Sequence, residues 1–475
     1  MGNMFFSKKL CAALCILITI IMLLGALASC TPSDSGKESG SVTPGTETDT
    51  DNRESESETN TSTMPGKDTL KIMYDGKTDF QIVRAEDSTD DEKTALLALR
   101  EAILKKTGAE IPVVTDFERL YPVKEYEIII GNTKRADKEY ILDTSSLGNV
   151  DYMIKTVGNR IIIIGGSSSA TLAATKYFIS TIIDNADSAN ITLDLGYAYE
   201  SIHKTNNEKL IKVMTQNLLA TDTEYASHPE AGMYTIAKRS ERIKQLILSN
   251  APDVIGVQEC SAPWREYFDK ISSSIGYKRI GADKNQKIGI LYDSNKYKVI
   301  KSASFWLSPD PEHEKYATEW NNGKQPTERL GMYVIFENKA TGDRFAHFNT
   351  HVGFDTELLA QNQTKVLLSY IDKVKKEYDC PILITGDFNY TSTTAQYKTF
   401  TSGIMRDTKF LATKSEGAGS FNRLKDKNQH THAVDQIMVS FEDWAVHSYK
   451  VDYTTFDGYF ASDHFAVVSE IELLK

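Results

Sequence analysis

Six short polar motifs adjoin apolar runs in the C-terminal part of the chain: Thr215-Gln216-Asn217, Gln258-Glu259, Asn349-Thr350-His351, Gly386-Asp387-Phe388-Asn389, Asp435 and Ser462-Asp463-His464. A short apolar run bounded by turn residues reads as a buried strand, so the six clusters can converge on one end of a sheet. Their residue types suit the hydrolysis of a phosphate ester. That reaction calls for a hard cation held by carboxylate and amide oxygens, an activated water, and donors for the charge that grows on the phosphorus oxygens. Glu259, Asp463, Asn217, Asp387, Asn389, His351 and His464 supply that inventory.

Each motif alone has a plain structural reading. Gly386-Asp387 after Ile382-Leu383-Ile384-Thr385 makes a good strand-end turn, Glu259 an exposed strand end, and His351 a satisfied structural histidine. Recurrence at successive strand ends favours chemistry over accident. The elements that must position these residues follow from apolar spacing. Strands are expected over 210–218, 253–257, 435–440 and 466–471, with another ending at Gly386, and helices over 234–249 and 358–376. Between Val257 and Trp306 the pattern reads as a run of strands. Residues 329–337 and 344–349 read as a hairpin turning through Asn338 to Asp343.

The motif order resembles the endonuclease/exonuclease/phosphatase superfamily, the metal-dependent phosphoesterases that include DNase I-like nucleases, bacterial sphingomyelinases and inositol-polyphosphate phosphatases. The resemblance covers about residues 209 to 475. Phe305-Trp306-Leu307-Ser308, a Pro-containing loop and then Arg329 further resemble a bacterial branch of secreted or surface members. The resemblance implies an α/β fold, a four-layer αββα sandwich, where periodicity alone gives a mixed α/β domain. It also implies roles: Glu259 as a ligand of Mg²⁺ or Mn²⁺, Asp463 beside the metal, and Asn217 positioning ligands. His464 is the leading general base, oriented by Asp435, while Asp387 orients or deprotonates the attacking water. Asn389 and His351 bond the phosphoryl oxygens. The choice of base stays open between the His and Asp residues.

The rest of the chain says where such a site would work. Lys8-Lys9, an apolar stretch from Leu10 to Leu27 and then Leu27-Ala28-Ser29-Cys30 resemble a bacterial lipoprotein signal, which implies cleavage after residue 29 and acylation of Cys30. The expected location is therefore outside the cytoplasm, lipid-anchored to a membrane. Residues 31–67 are almost devoid of apolar side chains and read as a disordered tether. Residues 68–200 read as a small α/β accessory domain with strands at Leu70-Lys71-Ile72-Met73, Glu127-Ile128-Ile129-Ile130 and Arg160-Ile161-Ile162-Ile163-Ile164. Helices are expected over 91–105 and 168–183. The segments around Gly131 and Gly165-Gly166 resemble the non-catalytic α/β domain of chitobiase and α-glucuronidase type glycoside hydrolases. Gly165-Gly166 reads first as a tight turn and second as an anion cradle at a helix start. Cys260 and Cys380, the cysteines left beyond Cys30, are expected to be buried free thiols.

A net charge of −11 argues against broad electrostatic capture of nucleic acid. Three substrates remain: nucleic acid, a lipid headgroup and a phosphorylated glycan. A monomer is expected. The alternative from another class is a non-catalytic surface lipoprotein that binds glycan or phosphate on an enzyme-like fold.

Overall fold

Strict alternation of apolar side chains along single strands builds the central layers. In Leu330–Asn338, Met332, Val334 and Phe336 face one core while Tyr333 and Ile335 face another. The computed structural model describes residues 69–135, 144, 146–313, 315–424 and 432–474. The expected signal segment, Cys30 and the tether lie outside the described residues. Among the described residues no helix is long and apolar enough to cross a membrane.

In chain order the first part comprises β1 (Thr69–Tyr74), β2 (Gln81–Arg84), α1 (Asp90–Thr107), β3 (Val113–Thr115), β4 (Glu127–Ile130), β5 (Tyr152–Val157), β6 (Arg160–Gly165), α2 (Ser168–Phe178), β7 (Asn190–Asp194) and β8 (Ala198–Ser201). They form a six-stranded sheet in the order β3-β2-β4-β6-β5-β8 and a separate β1-β7 ribbon. The helix expected to reach Ile183 is α-helical only to Phe178, then widens into a π-turn over Ile179–Ile183. Gly165-Gly166 is a tight turn. A Cβ on Gly166 would strike the backbone of Leu147 and Gly148, and Ser167 caps α2 by accepting from Ala170 N at 3.1 Å.

The second part comprises β9 (Leu210–Asn217), α3 (Ile236–Asn250), β10 (Val254–Gln258), α4 (Ala262–Ile271), β11 (Tyr277–Gly281), β12 (Gly289–Asp293), β13 (Tyr297–Trp306), β14 (Leu330–Asn338), β15 (Arg344–His351), α5 (Glu357–Tyr378), β16 (Ile382–Asp387), α6 (Ala395–Thr401), β17 (Met405–Asp407), α7 (Thr408–Leu411), β18 (Lys414–Glu416), β19 (Asp435–Ser440), β20 (Trp444–Asp452) and β21 (Ala466–Leu473). One sheet runs β11-β12-β10-β9-β21-β20-β18 and the other β13-β14-β15-β16-β19-β17. Val213, Ile290, Val334, Leu383, Ile437 and Val467 fill the space between them. On the outer faces, Leu367 and Ile371 of α5 pack on the second sheet, and Ile243 of α3 and Trp264 of α4 on the first. The result is the four-layer αββα sandwich. Helix α4 corrects the expected run of strands after Val257. Pro263 sits in its first turn, where no hydrogen bond is lost, and Trp264, Phe268 and Ile271 fall on one buried face.

The two parts meet at the end of the sandwich remote from the C-terminus of β9. Asp91 of α1 takes a two-pronged contact from Arg406 at 2.6 and 3.2 Å, Asn149 accepts from Val446 N at 2.6 Å, and Glu472 accepts from Asn206 N at 2.7 Å. Glu472 pairs with Leu210, the first residue of β9, whereas Asn217 is its last. Seven residue steps of strand separate them, about 23 Å.

Candidate active site

The motif residues are gathered from both sheets, where one sheet end was expected. Asn217 closes β9, Glu259 follows β10, and Asp463-His464 lead into β21 in the first sheet. His351 and Asp387 close the parallel pair β15 and β16, and Asp435 opens β19 antiparallel to β16 in the second. Stacking brings these ends together.

Part of the motif signature is glue between the sheets. Gln258 Nε2 donates to Thr215 Oγ1 at 3.1 Å and across the interface to Asn349 Oδ1 at 2.8 Å. Asn349 Nδ2 returns bonds to the carbonyls of Val257 at 2.9 Å and Gly289 at 2.8 Å. Thr385 joins the seam through Asn349, and His347 Nε2 lies 2.8 Å from Thr385 Oγ1. Gly256 makes room for it, since a Cβ there would collide with Thr385 Oγ1 and Asn349 Oδ1. A buried polar network of this kind fixes one alignment of the two sheets, because any slip would leave its members unpaired.

Above the seam lie the reactive groups. His464 Nδ1 sits 2.7 Å from Asp435 Oδ2, and His464 Nε2 lies 3.8 Å from Asp387 Oδ2. His351 Nε2 approaches the same Asp387 oxygen at 3.5 Å. Asn217 Nδ2 bridges two carboxylates, donating to Asp387 Oδ2 at 3.0 Å and Glu259 Oε1 at 3.1 Å, while its oxygen accepts from Leu219 N at 3.0 Å. Glu259 Oε2 accepts from Ala220 N at 2.8 Å. Asn389 donates its backbone N–H to Asp387 Oδ1 and its side-chain amide to Val352 O, each at 2.9 Å. Glu259 and Asn389 hold left-handed backbones, φ 56° and 54°. Non-glycine residues adopt that region at a cost, and such outliers gather where a side chain must be aimed.

Burial and crowding set the electrostatics. Desolvation, then the neighbouring Asp435 carboxylate, pushes Asp387 up to about 7. Burial also raises Asp463, which is further raised by Glu259 and opposed by His464. Burial alone would lower His464, but Asp435, Asp463 and Asp387 together hold it well above the usual histidine range. His351 is driven the other way by burial, Arg329 and His464, and stays neutral. Asp387, Asp435 and His464 offer ligand atoms within 4.8 Å of one another. His464 is nonetheless committed to Asp435 and favours the protonated ring, so this trio reads as a proton-handling group. Asp463, whose carboxyl is raised by the charge of Glu259, and Asp387, joined to Glu259 through Asn217 Nδ2, place hard oxygen donors of the kind a divalent cation takes at the same site. The donor set therefore fits Mg²⁺ or Mn²⁺.

Several residues of the site gave no strand-end signal. Tyr225 OH donates to Asp463 Oδ2 at 3.0 Å, and Glu224 is raised by burial and by Asp463 and Glu259, so both lie at the site on the irregular segment after β9. Arg239, fully buried on α3, spends its guanidinium on the carbonyls of Leu218, Leu219, Thr221 and Tyr234 and so fixes that segment. Phe421 packs its ring 4.7 Å from that of His464. Arg329, just before β14, lines a cavity of about 290 Å³ together with Glu259 and His351. It precedes a strand, and only the antiparallel pairing of Gly331 with Thr350 brings it to the site end. Cys260 and Cys380 are buried and free.

A family model described as the Endonuclease/Exonuclease/phosphatase family matches residues 232–464, ending on His464. No curated protein matches the chain. Solved structures similar to it include an endonuclease/exonuclease/phosphatase family protein from Bacteroides thetaiotaomicron, 23% identical, covering 56% of this chain and 99% of that one with a TM-score of 0.49. A mannosyl-6-phosphatase from the same species is 24% identical over 56% of this chain and 100% of its own, TM-score 0.48. The human Nocturnin catalytic domain with bound sulfate is 22% identical over 56% and 94%, TM-score 0.43. At these identities each protein's named activity remains its own.

Proposed function

We propose, from the premise that residues 232–464 belong to the endonuclease/exonuclease/phosphatase family, that the protein is a lipid-anchored, divalent-metal-dependent phosphoesterase. Members of that family are hydrolases of phosphate esters, and the chain is a phosphoesterase in that broad sense. The observation that carries the finer reading is the meeting of His464, Asp435 and Asp387 with Glu259 and Asp463 at one end of two stacked sheets.

Glu259 and Asp463 would hold Mg²⁺ or Mn²⁺, which when bound supplies Lewis-acid polarisation of a phosphoryl oxygen. The remaining work belongs to the protein. Asp387 is matched to accept a proton from the attacking water near neutral pH, since its carboxyl is pushed up to about 7. His464, held as an imidazolium by Asp435, stabilises charge growing on the phosphoryl group, and neutral His351 donates to a phosphoryl oxygen. Of the two open choices of base, this electrostatic pattern favours Asp387. Asn389 bonds a phosphoryl oxygen, a role supported by its fixed position between Asp387 and Val352.

The net charge of −11 and a cavity of about 290 Å³ suit a compact phosphate ester better than a long polyanion. A lipid headgroup or a phosphorylated glycan fits that description, and acylation of Cys30 would keep the enzyme at the outer face of a membrane. The test is hydrolysis of chromogenic phosphomonoesters and phosphodiesters by residues 31–475 with Mg²⁺, Mn²⁺ or chelator, beside His464→Ala. Metal-dependent cleavage lost in the variant is expected. Cleavage that survives chelation would overturn the metal assignment.

A further inference from the structure

Two arginines stand beside the carboxylate centre, and they are used in opposite ways. Arg239 saturates its donors with backbone carbonyls. None of the five donors of Arg329 has a hydrogen-bond partner or an ion pair among the described residues, and its Nε is buried without one. The guanidinium lies 6.0 Å from the Phe354 ring centroid, on a wall of the cavity shared with Glu259 and His351. It feels the charges of Asp387, Glu259 and Asp355 without closing on any of them, and it in turn depresses His351. Burying the Nε of a guanidinium without pairing it is costly, and a charge beside several carboxylates ordinarily pairs with one of them. A planar fork of unused donors facing an acidic centre is arranged for an anion that arrives later. Phe354, itself 68% exposed, offers its ring face to the guanidinium.

We propose that Arg329, braced by Phe354, is a substrate-binding residue that grips the non-bridging oxygens of the phosphoryl group. This rests on the phosphoesterase reading of the same site. Bidentate guanidinium bonds to phosphate are charge-assisted and directional, so they offset the repulsion of the acidic centre and orient the phosphorus toward the water held by Asp387. The two arginines divide the labour of the site: Arg239 shapes it and Arg329 loads it.

The competing explanation is that Arg329 only offsets the carboxylates at a distance. Titration calorimetry of inorganic phosphate into the full chain with Mg²⁺ separates the two, using wild type, Arg329→Met and Arg329→Lys. Arg329→Met is expected to weaken phosphate binding by about 10- to 100-fold, the worth of a charged hydrogen-bonded contact. Arg329→Lys, which keeps the charge and so the fold, is expected to recover only part of it because an ammonium cannot form the two-pronged contact. Phosphate affinity unchanged in Arg329→Met, with tighter Mg²⁺ binding, would overturn the proposal in favour of long-range charge balance. Full recovery in Arg329→Lys would likewise overturn the two-pronged grip. The binding readout stands apart from turnover: absence of ester hydrolysis by wild type would count against the phosphoesterase reading, while the phosphate titration still decides the role of Arg329.

Discussion

His464 Nδ1 and Asp435 Oδ2 lie 2.7 Å apart although they belong to different sheets, His464 leading into β21 and Asp435 opening β19. The pair exists only because the sheets are stacked in one register. The buried seam of Thr215, Gln258, Asn349 and Thr385 directly below it specifies that register. Proton chemistry and sheet packing are thus parts of one assembly.

The first prediction concerns that pair. His464→Ala is expected to lower kcat by at least ~10²-fold, the usual contribution of a preorganised donor to charge that grows in the transition state. Asp435→Asn should fall by a comparable factor, since the ring loses its orientation and its charged form. The double variant should be little worse than either single one, because the residues act as a unit. Steady-state kinetics checks this, and independent, multiplying losses would show that the two do not work together.

Glu259 offers a separate test through metal binding. Glu259→Gln keeps the bond from Ala220 N but removes a charge, so Mg²⁺ should bind at least ~10-fold more weakly and its stabilisation of the fold should shrink accordingly. Thermal melts across a Mg²⁺ series read this directly. Identical metal-dependent shifts in wild type and variant would remove Glu259 from the ligands.

The seam makes a stability prediction. Gly256→Ala drives a methyl into Thr385 Oγ1 and Asn349 Oδ1, so the sheets must part or the seam must break. A loss of about 1–3 kcal/mol is expected, as for overpacking elsewhere, and activity should drop in step. A melting temperature equal to wild type would show that the seam can give.

His347 should contribute to the acid sensitivity of the fold, beside His351, which burial also keeps neutral. Burial holds the pKa of His347 at about 3, below an unfolded value near 6.5. Between those values the unfolded chain carries a proton that the native chain does not, so stability declines as pH falls through that window. One such group contributes at most ~1.4 kcal/mol per pH unit. His347→Gln should flatten that slope whatever it does to stability at pH 7. Urea titrations at several pH values give the slope, and an unaltered one would acquit His347.

Legibility in the sequence followed the physics of each element. Strands such as Glu127–Ile130 and Asp435–Ser440 carry uninterrupted apolar runs that periodicity reads directly. Helix α4 was hidden because Trp264, Phe268 and Ile271 are spread among charged residues, and Pro263 suggests a break before it suggests a helix start. Residues at strand ends stood out, since an Asp or His after an apolar run is conspicuous. Tyr225 did not, and Arg329 was visible only as part of a motif resemblance without a role at the site, because their place depends on an irregular segment fixed by Arg239 and on antiparallel pairing. The motifs also mixed roles that sequence cannot separate: Asn349 holds sheets together, while His351 two residues later faces the site.

The last prediction separates the N-terminal part of the described chain from the chemistry. Asp91 is mostly buried and accepts from Arg406 twice and from Ser169 Oγ at 2.7 Å. Asp91→Asn removes the charge and leaves the guanidinium of Arg406 poorly paired, so a loss of about 1–3 kcal/mol is expected. Arg406 pairs with Val439, four residue steps or about 13 Å of strand from Asp435, and kcat/KM should not change at temperatures where the protein is folded. Limited proteolysis should cut faster within residues 202–208, the stretch that joins the two parts. A variant that melts normally would show the contact to be idle. A variant that melts normally yet loses kcat/KM would show that the N-terminal part shapes the active site through the length of the sheets.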